Sequence, residues 1–314
     1  MKVVNYMSSV PGGNTNVQKE QLIEYFHKGV LANNDKSVVQ RRHEVLDQDV
    51  AVIQGWVYAD KSAQHLRLRD GVIQTQIHSN RYVIVADANL FKYADPSNTH
   101  GYLRYSANGI FPTTGIYFDD VVDPKRWMKL ASHHKISMGT YVKTGKKIVL
   151  CCQRNKGWSM KGIPVNEWVY DTVKKIKKNT DKQIVIRAHP GDKRSDEWLK
   201  ITQDSKLRKF INSGQVKISR PGTPLNTDLN NAWAVVNHNS SSIVGPIMKG
   251  IHAFVTDPDD SQCKDVANTD LRMLENPKEF DREAWAQKKA MSHWSFDELK
   301  SGEAWAHMRP YVSQ

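Results

Sequence analysis

Apolar runs alternate with amphipathic segments along the first part of the chain. Hydrophobic residues that follow one another almost without a break predict β-strands at residues 2–10, 49–56 and 81–91. Apolar positions at helical spacing predict α-helices at residues 17–30 and 62–80. Apolar strands that alternate with helices in this way are typical of a parallel sheet with helices on both faces.

The same alternation returns in the second half of the chain. Further strands are predicted at residues 147–153, 183–186, 215–219, 232–239 and 252–257, with helices at 166–180 and 197–214. Residues 93–145 are less periodic and rich in Tyr, Gly and Pro, and we expect loops, short helices and a connector there. The tail at 276–311 is helical with breaks and contains Trp285, Trp294 and Trp305.

This pattern predicts an α/β protein built from two Rossmann-like lobes with a cleft between them. We place the first lobe at residues 1–145 and the second at residues 146–280. The helices of residues 281–314 are expected to pack back across the lobes. A chain of 314 residues is long enough for two lobes of ordinary size.

The chain carries 45 Lys and Arg residues against 33 Asp and Glu, a formal net charge of +12. A surface of this sign attracts polyanions such as DNA, RNA and nucleotides, although many basic proteins bind none of them specifically. No apolar run reaches about 18 residues, and the N-terminal residues lack a signal-peptide core of about 7–15 apolar residues. We therefore expect no membrane partner and a location inside the cell that makes the protein.

The three cysteines predict neither a disulfide nor a zinc site. Cys151 and Cys152 are adjacent in a predicted strand and point to opposite faces, which disfavours a bond between them. Neither they nor Cys263 stand at the spacing of a Cys/His zinc site. We interpret all three as small buried hydrophobic residues.

Open α/β sheets bind ligands beyond the carboxyl ends of their strands. The loop after the strand at 147–153 carries Arg154, Lys156, Gly157 and Ser159, and such a loop before a helix can hold phosphate oxygens. The alternative is a basic surface loop without a ligand.

The next strand ends in Arg187, followed by Ala188, His189 and Pro190. Proline favours an extended backbone at His189, which aims its imidazole away from the strand end, where it can donate to a phosphate. We predict that Arg187 and His189 contact the same ligand. The alternative is a histidine whose ring only stabilises its own turn.

Asn239, Ser240, Ser241 and Ser242 stand between an apolar strand and a helix that begins near Ser242. Their side chains can cap that helix, which is the simpler interpretation. Three hydroxyls exceed what capping needs, and spare hydroxyls at a helix start suit a phosphate or a ribose. Three strand ends with such chemistry predict a nucleotide monophosphate or diphosphate site in the second lobe.

Asp87 ends an apolar strand of the first lobe, where a carboxylate is well placed as a general base. The alternative is a turn or helix-capping aspartate. Asp70 is the competing base, although it lies within a predicted helix. Arg104 and Asn108 stand among aromatic residues in the segment 102–115, which suits stacking and hydrogen bonding to an acceptor base. An ordinary packed loop is the alternative there.

Two lobes, a nucleotide-type second half and a returning helical tail resemble a GT-B glycosyltransferase. The segments RAHPGD and VVNHNSSSIVGPIMKGIHAFV resemble the His-Pro and Ser-Ser motifs of capsule-polysaccharide and bacterial sialyl-type transferases. This resemblance implies donor-binding roles for His189, Pro190, Ser240 and Ser241. The third motif of those enzymes, an acidic pair before Gly, is met only in part by residues 69–71.

The whole chain is also similar to bacteriophage glycosyltransferases, above all in ANTDL, ENPKEFDREAW and HWSFDELKSGEAW. Phage DNA glycosyltransferases place their catalytic Asp after a strand, and Asp87 in VIVADANLF is similar in placement. Their diphosphate-binding loop opens the second lobe, as residues 153–160 do here.

This resemblance implies an enzyme that moves a hexose or pentose from a nucleotide-sugar, most of all a UDP-sugar. The implied acceptor is the hydroxymethyl group of a modified pyrimidine in double-stranded DNA. The resemblance further implies an inverting single displacement, no metal ion, no permanently bound cofactor and no obligate protein partner. The implied location is the cytoplasm of the infected bacterial host.

Two other interpretations stay open. A GT-B transferase that acts on a glycan with a CMP- or UDP-sugar is favoured if lysines such as those at residues 174–178 lie on outer helices rather than along a nucleic-acid path. A protein that binds nucleic acid or nucleotides without catalysis is the third possibility, and loss of Asp87 separates it from an enzyme.

Overall fold

The chain folds into two compact units. A computed structural model describes residues 1–11, 17–57, 61–92, 101–155, 157–192 and 205–313. The first unit comprises Met1–His134 and Ala286–Gln314, and the second comprises Lys135–Trp285. The structure thus divides the chain after residue 134 and again after residue 285, whereas the sequence suggested divisions after residues 145 and 280. The C-terminal residues belong to the first unit.

The strands are β1 Lys2–Tyr6, β2 Lys36–Gln40, β3 Val50–Gln54, β4 Tyr82–Asp87, β5 Leu103–Ala107, β6 Lys147–Cys151, β7 Gln183–Arg187, β8 Val216–Ile218, β9 Ala232–Asn237, β10 His252–Val255 and β11 His293–Trp294. The helices are α1 Val17–Ala32, α2 Gln64–His78, α3 Pro124–His134, α4 Val165–Lys177, α5 Ser205–Asn212, α6 Leu225–Leu229, α7 Val244–Met248, α8 Arg282–Ala290, α9 Phe296–Ser301 and α10 Glu303–Met308.

The first unit contains a six-stranded sheet in the order β11-β5-β4-β3-β1-β2. Strands β1 to β4 pair in parallel, as the sequence predicts. Strand β5 pairs antiparallel with β4, and β11 pairs antiparallel with β5. The expectation of only loops, short helices and a connector at 93–145 is therefore wrong for β5. Arg104 and Ser106 interrupt its apolar run, so the sequence there lacks the continuous signal of a buried strand.

The second unit contains a five-stranded sheet in the order β10-β9-β6-β7-β8. All four pairs of neighbouring strands are parallel. The central strands β6, β7 and β9 are almost wholly buried, which matches their continuous apolar runs. The fold class of two α/β units with parallel strands, predicted from the sequence, is confirmed.

The tail packs onto helix α1 within the first unit. Trp294 and Trp305 lie in the same hydrophobic core as Phe26 of α1. The carboxylate of Asp35 accepts hydrogen bonds from the Trp305 indole at 2.9 Å and from Arg309 at 2.7 Å. Burial alone would raise the pKa of Asp35, but these hydrogen bonds outweigh it and hold the pKa well below its usual range.

Two further sequence expectations can be compared with the structure. All three cysteines are buried and free, as predicted. No helix among the described residues is both long and apolar enough to cross a membrane.

Gly29 tests how the tail docks on the first unit. A Cβ atom at this position would lie 2.0 Å from the backbone oxygen of Leu299 in α9. We expect Gly29→Ala to force α1 and α9 apart and to lower the free energy of unfolding by about 1–3 kcal/mol. Differential scanning calorimetry measures the change.

Gly71→Ala is the matched control, because Gly71 lies inside helix α2 and its Cβ would meet only the Val45 side chain at 3.3 Å. Its expected effect lies between none and a stabilisation of about 1 kcal/mol. Equal stability of the two variants would contradict the close packing of α1 against α9.

Candidate functional site

The strand order of the second unit brings three sequence-predicted loops to one edge of the sheet. Strands β7, β6 and β9 are consecutive neighbours and all run in parallel, so their carboxyl ends lie side by side. The chain proceeds from β6 to β7 on one side, whereas β9 lies on the other side of β6. A crevice beyond such a reversal point is the usual ligand site of an open α/β sheet.

Gln153 holds the loops after β6 and β9 together. Its amide oxygen accepts a hydrogen bond from the Asn239 backbone N–H at 2.9 Å, and its amide nitrogen donates to the Ser159 hydroxyl at 2.5 Å. The Asn239 side chain donates to the Ser159 carbonyl at 3.2 Å. Ser159 and Asn239, both predicted to bind a ligand, thus use these groups to join the two loops.

The serines after β9 divide into one that caps and two that face solvent. Ser240 Oγ accepts a hydrogen bond from the Ser242 N–H at 3.2 Å, and its carbonyl accepts one from Asn237 at 2.6 Å. A 3-10 turn at Ser241–Ile243 follows and leads into α7. Capping therefore accounts for Ser240, whereas Ser241 and Ser242 are exposed at the carboxyl edge of the sheet.

His189 presents a single ring N–H beyond the end of β7. Its Nδ1 accepts a hydrogen bond from the Gly191 N–H at 3.0 Å, so in the neutral ring the proton resides on Nε2. Burial, followed by the nearby charge of Arg154, lowers the pKa of His189 below its ordinary value. The ring is therefore neutral at pH 7 and can donate from Nε2 to an anionic oxygen.

Arg154 lies next to His189. A Cβ atom on Gly191 would stand 2.6 Å from Arg154 Nη2 and 3.2 Å from His189 Cε1, so a glycine here lets both side chains approach the same point. The Asn155 N–H donates to Asp192 at 3.0 Å and ties the β6 loop to the β7 loop. Arg154 is exposed and forms no ion pair with the residues that the structure describes.

Arg187 has a different environment from the one expected. Its guanidinium pairs with Asp228 at 2.7 Å, and Ser219 donates to the same carboxylate at 2.6 Å. Asp228 already neutralises this charge, so Arg187 braces β7 and β8 against α6. A cavity of about 430 Å³ opens beside this pair and is lined by residues 187–190, 192 and 219–224.

A lysine and two aspartates that the sequence did not single out flank the same edge. Lys161 Nζ lies 3.1 Å from Asp257 and 2.8 Å from Asp260, and Asp257 also accepts from the Asn239 amide at 2.8 Å. Hydrogen bonds to Asp260 raise the pKa of Lys161 and keep it charged. The cluster anchors the loop after β9 from the β10 side. The one feature of the sequence that could have revealed this cluster is Asp257, which follows a strand in the segment FVTDP.

Two residues of the predicted β6 loop remain. Gly157 forms a tight turn, since its N–H donates to the Arg154 carbonyl and a Cβ atom would stand 2.8 Å from that oxygen. Lys156 lies outside the described residues.

In the part of the chain that the structure describes, no group of three His, Cys, Asp or Glu side chains could hold a metal ion.

In the first unit, Asp87 and Arg104 lie together. Asp87 ends β4 at the carboxyl edge of the sheet, and Arg104 on β5 donates to its carboxylate at 2.5 Å. Arg104 is 6% exposed, and its Nε and Nη1 atoms are buried without a hydrogen-bond partner. The predicted base and one of the predicted acceptor-binding residues are therefore direct partners.

The other two candidates of the first unit lie elsewhere. Asn108 adopts a left-handed conformation with φ of 60°, and its side chain accepts from the Val83 N–H at 2.9 Å. It thus lies at the amino-terminal edge of β4, so the structure does not bring the two predicted acceptor-binding residues, Arg104 and Asn108, together. Asp70 lies within helix α2, which continues through Gly71, and pairs with Lys61 at 2.7 Å.

The fold matches solved structures over nearly its whole length. The KpsC beta Kdo 2,4 transferase of Thermosulfurimonas dismutans superimposes with a TM-score of 0.53 at 12% identity, covering 96% of this chain and 98% of that chain. The beta Kdo 2,7 transferase of KpsC from the same organism superimposes with a TM-score of 0.50 at 12% identity, covering 98% and 99%. The chain therefore has the GT-B fold that the sequence resemblance implied. No family model and no curated protein matches the sequence.

Gln153→Ala tests the link between the β6 and β9 loops. The change leaves the buried Asn239 N–H without its acceptor, which costs about 1–3 kcal/mol. We expect the backbone amides of residues 238–242 to exchange with deuterium about tenfold faster, which mass spectrometry of peptic peptides measures.

Gln183→Ala is the matched control, because Gln183 makes a side-chain hydrogen bond to Gly214 at the opposite edge of the same sheet. It should leave exchange at residues 238–242 unchanged. Unaltered exchange in Gln153→Ala as well would show that the two loops hold their positions without this contact.

Proposed function

We propose that this protein is a glycosyltransferase that takes a sugar from a nucleotide-sugar bound at the carboxyl edge of the second sheet. The observation that carries the proposal is the convergence of the loops after β6, β7 and β9 at one point of strand-order reversal. The hydrogen-bond donors at this point are Arg154, the Nε2–H of His189 and the hydroxyls of Ser241 and Ser242. Groups of this kind bind phosphate oxygens.

The chemistry of the edge suits the leaving group of a glycosyl transfer. When the bond between the anomeric carbon and the phosphate oxygen breaks, negative charge develops on the departing nucleotide. The cation of Arg154 and the neutral donor of His189 would stabilise that charge. The 430 Å³ cavity beside His189 falls within the size range of small-molecule sites and would receive the nucleoside. UDP and CMP are the candidate nucleotides, and UDP is our first choice.

We assign the role of general base to Asp87 in the first unit. Its carboxylate would take the proton of the attacking acceptor hydroxyl while that oxygen bonds to the anomeric carbon. One displacement of this kind inverts the configuration of that carbon. Arg104 fixes the orientation of the carboxylate. Asp70 is the weaker candidate, because Lys61 already pairs with it.

The acceptor that we favour is a carbohydrate hydroxyl. Two proteins that share the fold, with TM-scores of 0.53 and 0.50, are named as Kdo transferases. In addition, Lys174 and Lys175 are exposed on α4 and Lys178 is exposed directly after its last residue, whereas Trp168 and Ile176 of the same helix are buried. Lysines placed outward on a helix contribute to the basic net charge without forming a nucleic-acid path.

A second candidate acceptor is the hydroxymethyl group of a modified pyrimidine in double-stranded DNA. The net charge of +12 and the resemblance of the tail to phage transferases favour it. With this acceptor, the enzyme would act in the cytoplasm of an infected bacterium.

Arg154→Ala and His189→Ala test the donor site. Each removes one donor to the phosphate, and hydrogen bonds to a charged group contribute about 1.5–3 kcal/mol. We expect each variant to weaken nucleotide binding about 10- to 100-fold, measured by isothermal titration calorimetry with UDP, CMP and their sugar conjugates.

The control for the donor site is Arg208→Ala, which removes an exposed arginine of α5 in the same unit. Its nucleotide affinity should equal that of the unaltered protein. If none of these nucleotides binds, or if all three variants bind alike, the assigned donor site is wrong.

Asp87→Asn tests catalysis separately from binding. The amide cannot accept the hydroxyl proton, so we expect transfer to fall at least about 100-fold while nucleotide affinity stays unchanged. Transfer is measured by mass spectrometry of two acceptor pools, an oligosaccharide library and hydroxymethylated DNA.

The acceptor pool that gains mass identifies the acceptor class. Undiminished transfer by Asp87→Asn would exclude Asp87 as the base. Nucleotide binding without transfer to either pool would favour a protein that binds nucleotides without catalysis.

A further inference from the structure

Arg69 is a buried cation that pairs with no acidic side chain among the residues that the structure describes. It is 6% exposed, and it donates from Nε to the Ser9 carbonyl at 2.9 Å and from Nη2 to Gln54 Oε1 at 3.0 Å. Both acceptors are uncharged, and Arg69 forms no ion pair with any described residue. Burial lowers the pKa of Arg69 to about 10, so the guanidinium still carries its charge at pH 7. A buried charge that lacks a counter-charge is costly, which calls for an explanation beyond packing.

The position of Arg69 in the first sheet provides that explanation. Ser9 follows β1 and Gln54 ends β3, and these two strands are neighbours. In the sheet order β2-β1-β3-β4, the chain proceeds from β1 to β2 on one side, whereas β3 lies on the other side of β1. Arg69 therefore lies at the reversal point of the first sheet and on its carboxyl edge, where open α/β sheets bind ligands.

Gly55 places no side-chain atom of its own against the guanidinium. Its φ of +76° favours glycine, and a Cβ atom there would stand 3.0 Å from Arg69 Nη1. The Gly55 N–H donates to the Ala86 carbonyl at 2.8 Å, and Ala86 directly precedes Asp87. Gly55 thus contacts both the guanidinium's surroundings and the end of β4, the strand that carries the candidate base.

We propose that Arg69 and Gly55 form an anion-binding site in the first unit that holds a carboxylate or phosphate group of the acceptor. Arg69 Nη1 donates to an oxygen of that group, and the anion supplies the counter-charge that no described acidic residue supplies. The acceptor is then an acidic saccharide whose attacking hydroxyl is brought to Asp87. This assignment of an acceptor class rests on the proposed transferase function, whereas the anion site itself does not.

The structural alternative is that Arg69 only joins the ends of β1 and β3. Hydrogen–deuterium exchange of the full-length chain separates the two roles, because it reports the first unit peptide by peptide. The probes are sodium phosphate and sodium glucuronate at matched ionic strength, with glucose as the uncharged reference. A ligand at about ten times its dissociation constant slows exchange from locally opened states about tenfold.

In the unaltered protein, we expect phosphate, glucuronate or both to slow exchange at residues 6–10 and 50–57, and glucose to have no effect. The probe that protects these segments identifies the anion as phosphate or carboxylate. Arg69→Gln should abolish the protection. Arg67→Gln is the matched control, because Arg67 is an exposed arginine of the same helix that donates to the carbonyls of Lys61 and Ser62. It should keep the protection.

Two further variants cover the case in which Arg69→Gln loosens the fold. Arg69→Lys retains the charge but cannot both bridge the strands and donate to an anion, so protection should fall. Gly55→Ala retains the arginine but places a methyl group against Nη1, with the same result. No protection by either anion in the unaltered protein, or protection that persists in all three variants, overturns the anion site.

A UDP or CMP sample in the same experiment distinguishes this inference from the proposed function. Nucleotide protection of residues 188–192 and 238–242 in the second unit, without anion protection in the first unit, overturns the anion site and leaves the transferase proposal standing. Anion protection in the first unit without any nucleotide effect supports the anion site and contradicts the donor site.

Discussion

The hydrogen bond from the Asn239 backbone to the Gln153 side chain is the contact on which the candidate donor site depends. It joins two loops that are 86 residues apart in the sequence, across the point where the strand order of the second sheet reverses. Asp257 and Lys161 hold the same loop from the other side. With both loops fixed, the exposed hydroxyls after β9 and the cation after β6 lie at the same edge of the sheet, where we propose that a nucleotide binds.

The elements that the sequence predicted correctly are those with continuous apolar runs. Strands β6, β7 and β9 are buried on both faces, and their continuous runs of Val, Ile, Leu and Ala predict this burial. Strand β5 carries a buried Arg104 that pairs with Asp87, and no local pattern distinguishes such a residue from an exposed loop arginine. Because a paired charge occupies a buried position of β5, the sequence there lacks the continuous apolar run that predicts a strand.

The same limit applies to the site residues. Proximity to a strand end was enough to place Arg154, His189 and the serines after β9 at one edge of the sheet, because parallel strands end at one edge. It was not enough for Arg187, whose partner Asp228 lies 41 residues away and neutralises it. Nor did it show that Asn108 is separated from Arg104, because an antiparallel β5 places these two residues at opposite edges of the sheet. Each of these outcomes depends on a long-range pairing that a single sequence does not encode locally.

A crystal structure of the protein with a bound nucleotide-sugar tests the central claim most directly. The account predicts phosphate oxygens within about 2.7–3.2 Å of His189 Nε2 and of the Arg154 guanidinium, next to the exposed hydroxyls that follow β9. It also predicts that the Gln153 to Asn239 hydrogen bond persists in the complex. A nucleotide bound away from the carboxyl ends of β6, β7 and β9 would contradict the account.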